Sequence, residues 1–175
     1  MALSSGYLVL MAAIGVERLA ELWLTRRNLA WSFANGGREW GREHYPFMVL
    51  IHVALLAGCI VEPLWSGTEF DPSLGWPMFA LVVLAQALRW WCIGSLGKQW
   101  NTRVVVIPGQ KTVRSGPYRI FPHPNYVAVV VEGIALPLVH GAWRTAIIFS
   151  LANAVVLWIR IKCENQALKE LGSVR

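Results

Sequence analysis

Five apolar stretches separated by polar segments organise the chain. They run from Leu3 to Leu24, Pro46 to Trp65, Trp76 to Leu96, Asn125 to about Val139, and Trp143 to about Ile161. A helix needs roughly 20 apolar residues to cross the hydrocarbon core of a bilayer, and the first three stretches qualify. The fourth is shorter, and only a His-Gly-Ala tripeptide separates it from the fifth. We predict three spanning helices and then a tight helical hairpin, for which both a full and a partial crossing fit the pattern.

The composition supports a membrane bundle. Of the 175 residues, 55% are apolar and only 15% are charged, and the mean hydropathy is +0.45. Soluble domains carry more charge, so the apolar surface is expected to face lipid. We predict an all-α, polytopic integral membrane helix bundle of about five transmembrane segments. A single domain covers 1–175, with three transmembrane helices in 1–97, a cytosolic connector in 98–124, and the hairpin and C-terminal helix in 125–175.

The formal net charge of +6 comes from basic residues placed between the apolar stretches. They are Arg26, Arg27, Arg38 and Arg42, then Lys98, Arg103, Lys111, Arg114 and Arg119, and finally Lys162, Lys169 and Arg175. The segment after the second stretch has Glu69 and Asp71 but no lysine or arginine. Because basic loops stay in the cytoplasm, we predict an external N-terminus and a cytoplasmic C-terminus. The long loops 26–45 and 98–123 would then share the cytoplasmic side.

Other classes find no support in the residue pattern. No nucleic-acid-binding motif accompanies the positive charge, so no nucleic-acid partner is predicted. The three cysteines form no CxxC or Cys/His cluster, so neither a disulfide framework nor a metal site is expected. Within the second long loop, two β-branched runs, 103–107 and 111–113, flank Pro108-Gly109. They indicate either a short hairpin or an irregular loop.

Ionisable residues inside the apolar stretches are candidates for structure or function, because each costs about 3 kcal/mol to insert. Glu17, Arg18 and Glu21 lie near the cytoplasmic end of the first stretch, and we interpret them as a structural ion network with an Arg18–Glu21 pair. Arg89 and Glu132 are predicted to pair across the third and fourth stretches. That pair serves either the architecture or a pocket for a substrate head group. His52 and Glu62 are isolated, and we assign them packing and interface roles.

Asn153, Arg160 and Glu164 recur at spacings of seven and four residues in the last stretch. At about 100° per residue they share one face of a helix. An ordinary helix-end ion pair between Arg160 and Glu164 is the simpler interpretation of the last two. Their predicted position at the cytoplasmic end, near the polar segment described next, favours a site.

The segment SGPYRIFPHPNY, residues 115–126, concentrates hydrogen-bonding groups in a non-helical corner just before the fourth stretch. Prolines flank His123, and Pro124 is suited to open a helix. Free N–H groups at such a helix start favour a carboxylate or another anion. Tyr118 and Tyr126 offer flat apolar faces with hydroxyl groups. The corner therefore suits an adenosine-like ligand with a carboxylate tail, although a capped loop in an interfacial aromatic belt is the structural alternative.

These motifs resemble the isoprenylcysteine carboxyl methyltransferase family. The resemblance rests on Gly116-Pro117-Tyr118-Arg119, on His123-Pro124-Asn125-Tyr126, on Glu132, and on the run from Arg160 to Leu168. It covers the chain from Leu96 onward, whereas the first two stretches match only in hydropathy. Pro122 stands where the family usually has arginine, and Asn165 stands where a second glutamate is usual. The same signature occurs in membrane phospholipid methyltransferases, so it indicates reaction type better than substrate.

The resemblance implies an S-adenosylmethionine-dependent methyltransferase that acts on a lipophilic acceptor, most simply by carboxyl or hydroxyl O-methylation. The implied cofactor-binding residues are Gly116, Tyr118, Arg119, His123, Pro124, Asn125, Tyr126 and Glu164. Arg160 and Glu164 are the implied catalytic residues, and Arg89, Glu132 and Asn153 are candidates for binding the acceptor. No metal is implied. The active site is expected on the cytoplasmic side, with the oligomeric state left open.

Three classes of acceptor and one non-enzymatic function stay open at this stage. The first class of acceptor is a lipidated or carboxylated molecule. The second is a polyketide hydroxyl, such as that of an alkylpyrone, and the third is a phospholipid amine. A neutral hydroxyl or amine would need a base, which Glu164 or His123 can supply. The alternative of another class is a non-enzymatic membrane binding or transport module with structural internal charges.

Overall fold

The computed structural model describes residues 3–170, which form the predicted all-α bundle. Arg175, counted above among the basic residues, lies outside the described part. The helices are α1 (Ser5–Ala34), α2 (Tyr45–Ser66), α3 (Pro72–Leu96), α4 (Pro124–Leu138) and α5 (Trp143–Glu170). Short 3₁₀ turns cover Arg42–His44, Gly97–Gln99 and Gly116–Arg119. Two three-residue strands, β1 (Arg38–Trp40) and β2 (Val104–Val106), complete the architecture.

Within residues 3–170, three helical segments are long and apolar enough to span a bilayer, namely Arg42–Ser66, Pro72–Gln99 and Trp143–Glu170. The second, third and fifth apolar stretches therefore have the length of full spans, while α4 is shorter at 15 residues. The first stretch departs from the prediction. Its helix α1 reaches 30 residues, but three charged residues interrupt its apolar run. It is not among the three candidate spans.

Local sequence explains where the helices begin and end. Asp71 accepts a hydrogen bond from Ser73 N at 2.9 Å, so it caps α3, and Pro72 occupies the first helical position. No glycine or proline occurs between Val16 and Gly36, and α1 therefore continues beyond the predicted end at Leu24 to Ala34. Likewise α5 continues beyond Ile161 to Glu170. Loop 26–45 is consequently helical in its first part.

The predicted hairpin between α4 and α5 is confirmed. Gly141 adopts a φ of +70° in the turn, a conformation that favours glycine. Glu62 of α2 accepts hydrogen bonds from the main-chain nitrogens of Arg144 at 3.0 Å and Thr145 at 2.7 Å. This carboxylate therefore caps the start of α5 from a neighbouring helix, which is a more specific role than the packing and interface role assigned from sequence.

The possible hairpin around Pro108-Gly109 is wrong. Val105 pairs instead with Glu39 in an antiparallel β1–β2 sheet that joins the two long loops. Arg103 forms an ion pair with Glu39 at 3.0 Å, and both Val104 and Val106 are buried. Pairing between the two loops therefore buries two valine side chains and forms an ion pair. It also holds the C-terminal end of α1 and the C-terminal end of α3 on the same side of the bundle.

A dry core fills the half of the bundle away from the sheet. Its members come from the first half of α1 and the second half of α2, such as Tyr7 and Cys59, from Val82 of α3, and from the α4–α5 hairpin, such as Leu136 and Phe149. Tyr7 Oη donates to the Cys59 carbonyl at 3.0 Å within this core. Large apolar side chains cover the outer surface, including Leu19, Leu50 and Leu151. The half near the sheet is less densely filled and contains the site.

Candidate functional site

The polar corner begins with a 3₁₀ turn, Gly116–Arg119, that packs against α3. Gly116 has a φ of +58°, and a Cβ added there would lie 2.1 Å from Ser95 Oγ. Only glycine fits such a position without strain. The Tyr118 side chain hydrogen-bonds Cys92, and burial is the main cause that raises the pKa of its phenol above the ordinary value. The turn is thereby fixed to α3 at two points.

His123 and Tyr126 form the centre of the corner. Pro124 is buried and occupies the first position of α4, as predicted. His123 precedes it, and its ring stacks on the Tyr126 ring with a centroid distance of 5.4 Å and an interplanar angle of 19°. One turn of α4 thus presents an imidazole and a phenol side by side.

The corner and the last helix meet at Glu164. Tyr126 Oη donates a hydrogen bond to Glu164 Oε2 at 2.9 Å, and His123 Nδ1 lies 3.7 Å from the same oxygen. The polar corner and the last helix, which are distant in sequence, therefore meet at the carboxylate of Glu164.

The simple ion pair between Arg160 and Glu164 does not form among the described residues. Arg160 instead donates to the main-chain oxygen of Thr102 at 2.8 Å. Its guanidinium also interacts with the Tyr126 hydroxyl. Tyr126 therefore lies between the two charged groups.

A cavity of about 1200 Å³ opens between the corner, the second long loop and the helices. Of the predicted site residues, those lining it are Arg89, Tyr118, Arg119, His123, Asn125, Tyr126, Glu132, Asn153, Arg160 and Glu164. Gly116 and Pro124 do not line the cavity. They determine the backbone conformation of the segment that carries the lining residues. Apolar side chains such as Val53, Leu56 and Val156 form the walls. The cavity exceeds the range of about 300–1,000 Å³ that is usual for small-molecule sites.

Four charged side chains from the apolar stretches form a closed ring. The Arg89–Glu132 pair is present as predicted, and so is the Arg18–Glu21 pair at 2.9 Å. Arg18 also contacts Glu132 at 3.1 Å, and Arg89 lies 3.6 Å from Glu21. Two guanidiniums thus alternate with two carboxylates across α1, α3 and α4. All four side chains line the cavity, so the network interpreted as structural also borders the site.

Three amide side chains in the described part have a buried oxygen without a partner, those of Asn101, Asn125 and Asn153, and the last two are predicted site residues. The Oδ1 atoms of Asn125 and Asn153 are buried and have no partner among the described residues. Both residues line the cavity. Buried polar atoms are normally paired, so these amides, together with the carboxylate of Glu164, fit a ligand rich in polar groups. The cavity volume and these groups are compatible with a nucleoside that carries an amino-acid tail.

The second long loop contributes a wall that sequence analysis missed. Thr102 supplies the carbonyl that binds Arg160, and residues from Gln99 to Arg114 line much of the cavity. A main-chain carbonyl has no side-chain signature, so no motif could reveal this contact. His52 also lines the cavity instead of only packing in the bundle. In residues 3–170, no group of three or more His, Cys, Asp or Glu side chains is arranged to hold a metal ion.

Comparisons with known proteins identify a family. Residues 78–170 match the isoprenylcysteine carboxyl methyltransferase family, and this range contains every predicted site residue. The chain is 38% identical over 163 residues to the uncharacterized protein YpbQ of Bacillus subtilis, covering 93% of this chain and 96% of that protein. It is 26% identical over 164 residues to an uncharacterized protein of Haemophilus influenzae, covering 93% and 95% respectively. No solved structure matches.

Proposed function

Because the chain belongs to the isoprenylcysteine carboxyl methyltransferase family, we propose that it is a membrane enzyme that transfers a methyl group from S-adenosylmethionine to a lipophilic acceptor. The observation that carries the proposal is the meeting of His123, Tyr126 and Glu164 at the mouth of one large cavity. Glu164 lies far from the other two residues in the sequence, and together the three side chains provide an aromatic surface next to a carboxylate.

The cofactor would lie against the polar corner. Glu164 is suited to pair with an ammonium group, and Asn125 has a free amide oxygen for a second donor. The rings of His123 and Tyr126 would support the adenosine portion, with Tyr118 and Arg119 on the adjoining wall. Gly116 and Pro124 would hold the 116–124 segment in the shape that covers the cofactor.

The acceptor would enter the apolar part of the cavity from the bilayer. Its reacting oxygen would lie near Arg160, whose guanidinium is buried and oriented by the Thr102 carbonyl. When bound, S-adenosylmethionine would supply an activated methyl group, whose S–C bond would break with the electron pair left on sulfur as the C–O bond to the acceptor formed. A hydroxyl acceptor would give its proton to Glu164 or His123. The chain's own contribution is alignment and exclusion of water. Arg89, Glu132 and Asn153 would contact the acceptor's far end.

Substitution of the two proposed catalytic residues tests the function. Arg160→Ala and Glu164→Ala should each lower methyl transfer from isotopically labelled donor to a lipid extract by at least about 100-fold, the cost typical of a lost transition-state contact. Glu164→Ala should also weaken S-adenosylhomocysteine binding in a calorimetric titration. Lys162→Ala is the matched control, because Lys162 is on the same helix but is exposed and lies over the Trp158 ring.

Three results would refute the proposal. The first is unchanged transfer in both alanine variants. The second is no methylated lipid detected by mass spectrometry with the unaltered protein. The third is no binding of S-adenosylhomocysteine by the folded, membrane-inserted protein, and this result would favour the non-enzymatic alternative.

A further inference from the structure

The deep end of the cavity has polar groups that the methyl transfer chemistry leaves unused. We define the deep end as the part lined by His52, Asn153 and the Arg89–Glu132 pair. Asn153 precedes Arg160 by seven residues on α5, a distance of about 10 Å along a helix. At Asn153 the deep end is therefore about two helical turns further along α5 into the bundle than Arg160.

His52 lines this space and has a ring nitrogen that can accept a hydrogen bond. Its Nδ1 lies 2.7 Å from the carbonyl oxygen of Met48, one turn earlier on α2. A carbonyl oxygen can only accept, so Nδ1 carries the proton and Nε2 of the neutral ring has a free lone pair. No described residue hydrogen-bonds Nε2. The ring packs edge-on against Phe149 at 5.3 Å, which holds its orientation.

Asn153 provides the second group. It follows Phe149, the ring against which His52 packs, by one turn of α5, and it lines the same cavity as His52. The residue is only 3% exposed, and its Oδ1 has no partner among the described residues. Rotation about the terminal side-chain bond can present either amide atom to the cavity. An unpaired amide at this depth favours a ligand that forms hydrogen bonds with it.

The charged side chains at the deep end already form ion pairs with one another. Arg18 and Arg89 each contact both Glu21 and Glu132 through their Nη atoms, so each positive charge already has two carboxylate partners, and only the buried Nε of each guanidinium has no partner among the described residues. A carboxylate placed here would meet two carboxylates and the lone pair of His52. It has no proton to donate to any of them at neutral pH. A hydroxyl group can donate to His52 and either donate to or accept from Asn153.

We infer that His52 and Asn153 bind a hydroxyl group of the lipophilic acceptor, so that the deep end selects an uncharged, hydroxyl-bearing head group over a carboxylate. The inference rests on the proposed function, since it identifies the substrate class of the same cavity. The apolar walls at Val53, Leu56 and Val156 are suited to the hydrocarbon part of such a molecule. His52 and Asn153 thereby determine specificity without taking part in the transfer itself.

Binding of simple amphiphiles tests the inference. The detergent-solubilised protein with S-adenosylhomocysteine is incubated separately with 1-tetradecanol, methyl tetradecyl ether or tetradecanoate, and the bound fraction is measured by native mass spectrometry. The alcohol should bind about tenfold more tightly than the ether or the carboxylate, the effect expected for one or two hydrogen bonds. Asn153→Leu and His52→Phe should each reduce this preference, while Leu151→Ala, on the lipid-facing side of α5, should keep it.

Equal binding of the three amphiphiles, or a preference that survives both substitutions, overturns the inference. His52→Phe keeps an aromatic ring next to Phe149, so it serves as the test if Asn153→Leu does not fold. S-adenosylhomocysteine binding is titrated in the same samples. Its loss with an intact alcohol preference refutes the proposed function alone, and its retention without any preference refutes the inference alone.

Discussion

Individual contacts explain how Arg160 is held. Thr102 is fixed on three sides: its N–H donates to Thr25 Oγ1 at 3.3 Å, its hydroxyl lies 3.3 Å from Tyr45 Oη, and its carbonyl accepts from Arg160 at 2.8 Å. Thr25 belongs to α1 and Tyr45 starts α2. The N-terminal helices therefore orient a residue of the last helix through a single connecting residue, Thr102.

Removing the Thr25 hydroxyl should disturb this orientation. In Thr25→Val the Thr102 N–H loses its partner, and one such hydrogen bond is worth about 1 kcal/mol. We expect the turnover rate with a lipid extract to fall about fivefold, while S-adenosylhomocysteine affinity stays the same. Thr25→Ser restores the hydroxyl and should restore the rate. Equal losses in the serine and valine variants, or a parallel loss of cofactor affinity, would show that Thr25 does not act through Arg160.

Sequence could predict the side chains of the site but only some of their partners. The motif residues and the face shared by Asn153, Arg160 and Glu164 follow from helical spacing, and all three line the cavity. The partner of Arg160 could not be predicted in this way, because Thr102 offers its backbone. A side-chain pair such as Arg89–Glu132 is predictable, since an unpaired charge in a bilayer is costly.

At the scale of elements, side-chain contacts join helices whose backbones are not closely packed. The ring of Arg18, Glu21, Arg89 and Glu132 links α1 to α3 and α4. Helix positions could be predicted from the apolar runs, because every apolar residue of a run must be either buried in the bundle or in contact with lipid. The β1–β2 pairing could not, because strands of three residues carry almost no periodic signal and their partners lie in different loops.

The charged ring makes a specific stability prediction. Arg89→Met leaves Arg18 alone with two buried carboxylates and should lower the unfolding free energy by about 3–5 kcal/mol. The double variant Arg89→Met/Glu132→Met retains the Arg18–Glu21 pair at 2.9 Å, so we expect it to regain most of that loss. Thermal unfolding in detergent micelles gives the comparison. A double variant that is less stable than Arg89→Met would show that the charges do not compensate one another.

At the scale of the whole molecule, the two ends of the bundle differ. The dry core lies toward the α2–α3 and α4–α5 turns, whereas the β1–β2 sheet, the polar corner and the mouth of the cavity lie at the other end. The second end also has most of the basic residues of the connecting segments. A water-soluble methyl donor made in the cytosol can reach the proposed site only if this end faces the cytoplasm.

Accessibility of single cysteines tests that orientation. Glu69 and Pro108 are exposed in connections at opposite ends of the bundle. In a Cys163→Ser background, where Cys59 and Cys92 are buried, a membrane-impermeant maleimide applied to intact cells should label Glu69→Cys. It should label Pro108→Cys only after permeabilisation, because the basic connections are retained in the cytoplasm. The reverse labelling pattern would place the mouth of the cavity outside the cell. The donor could not then reach Glu164, and the proposed reaction would fail together with the predicted topology.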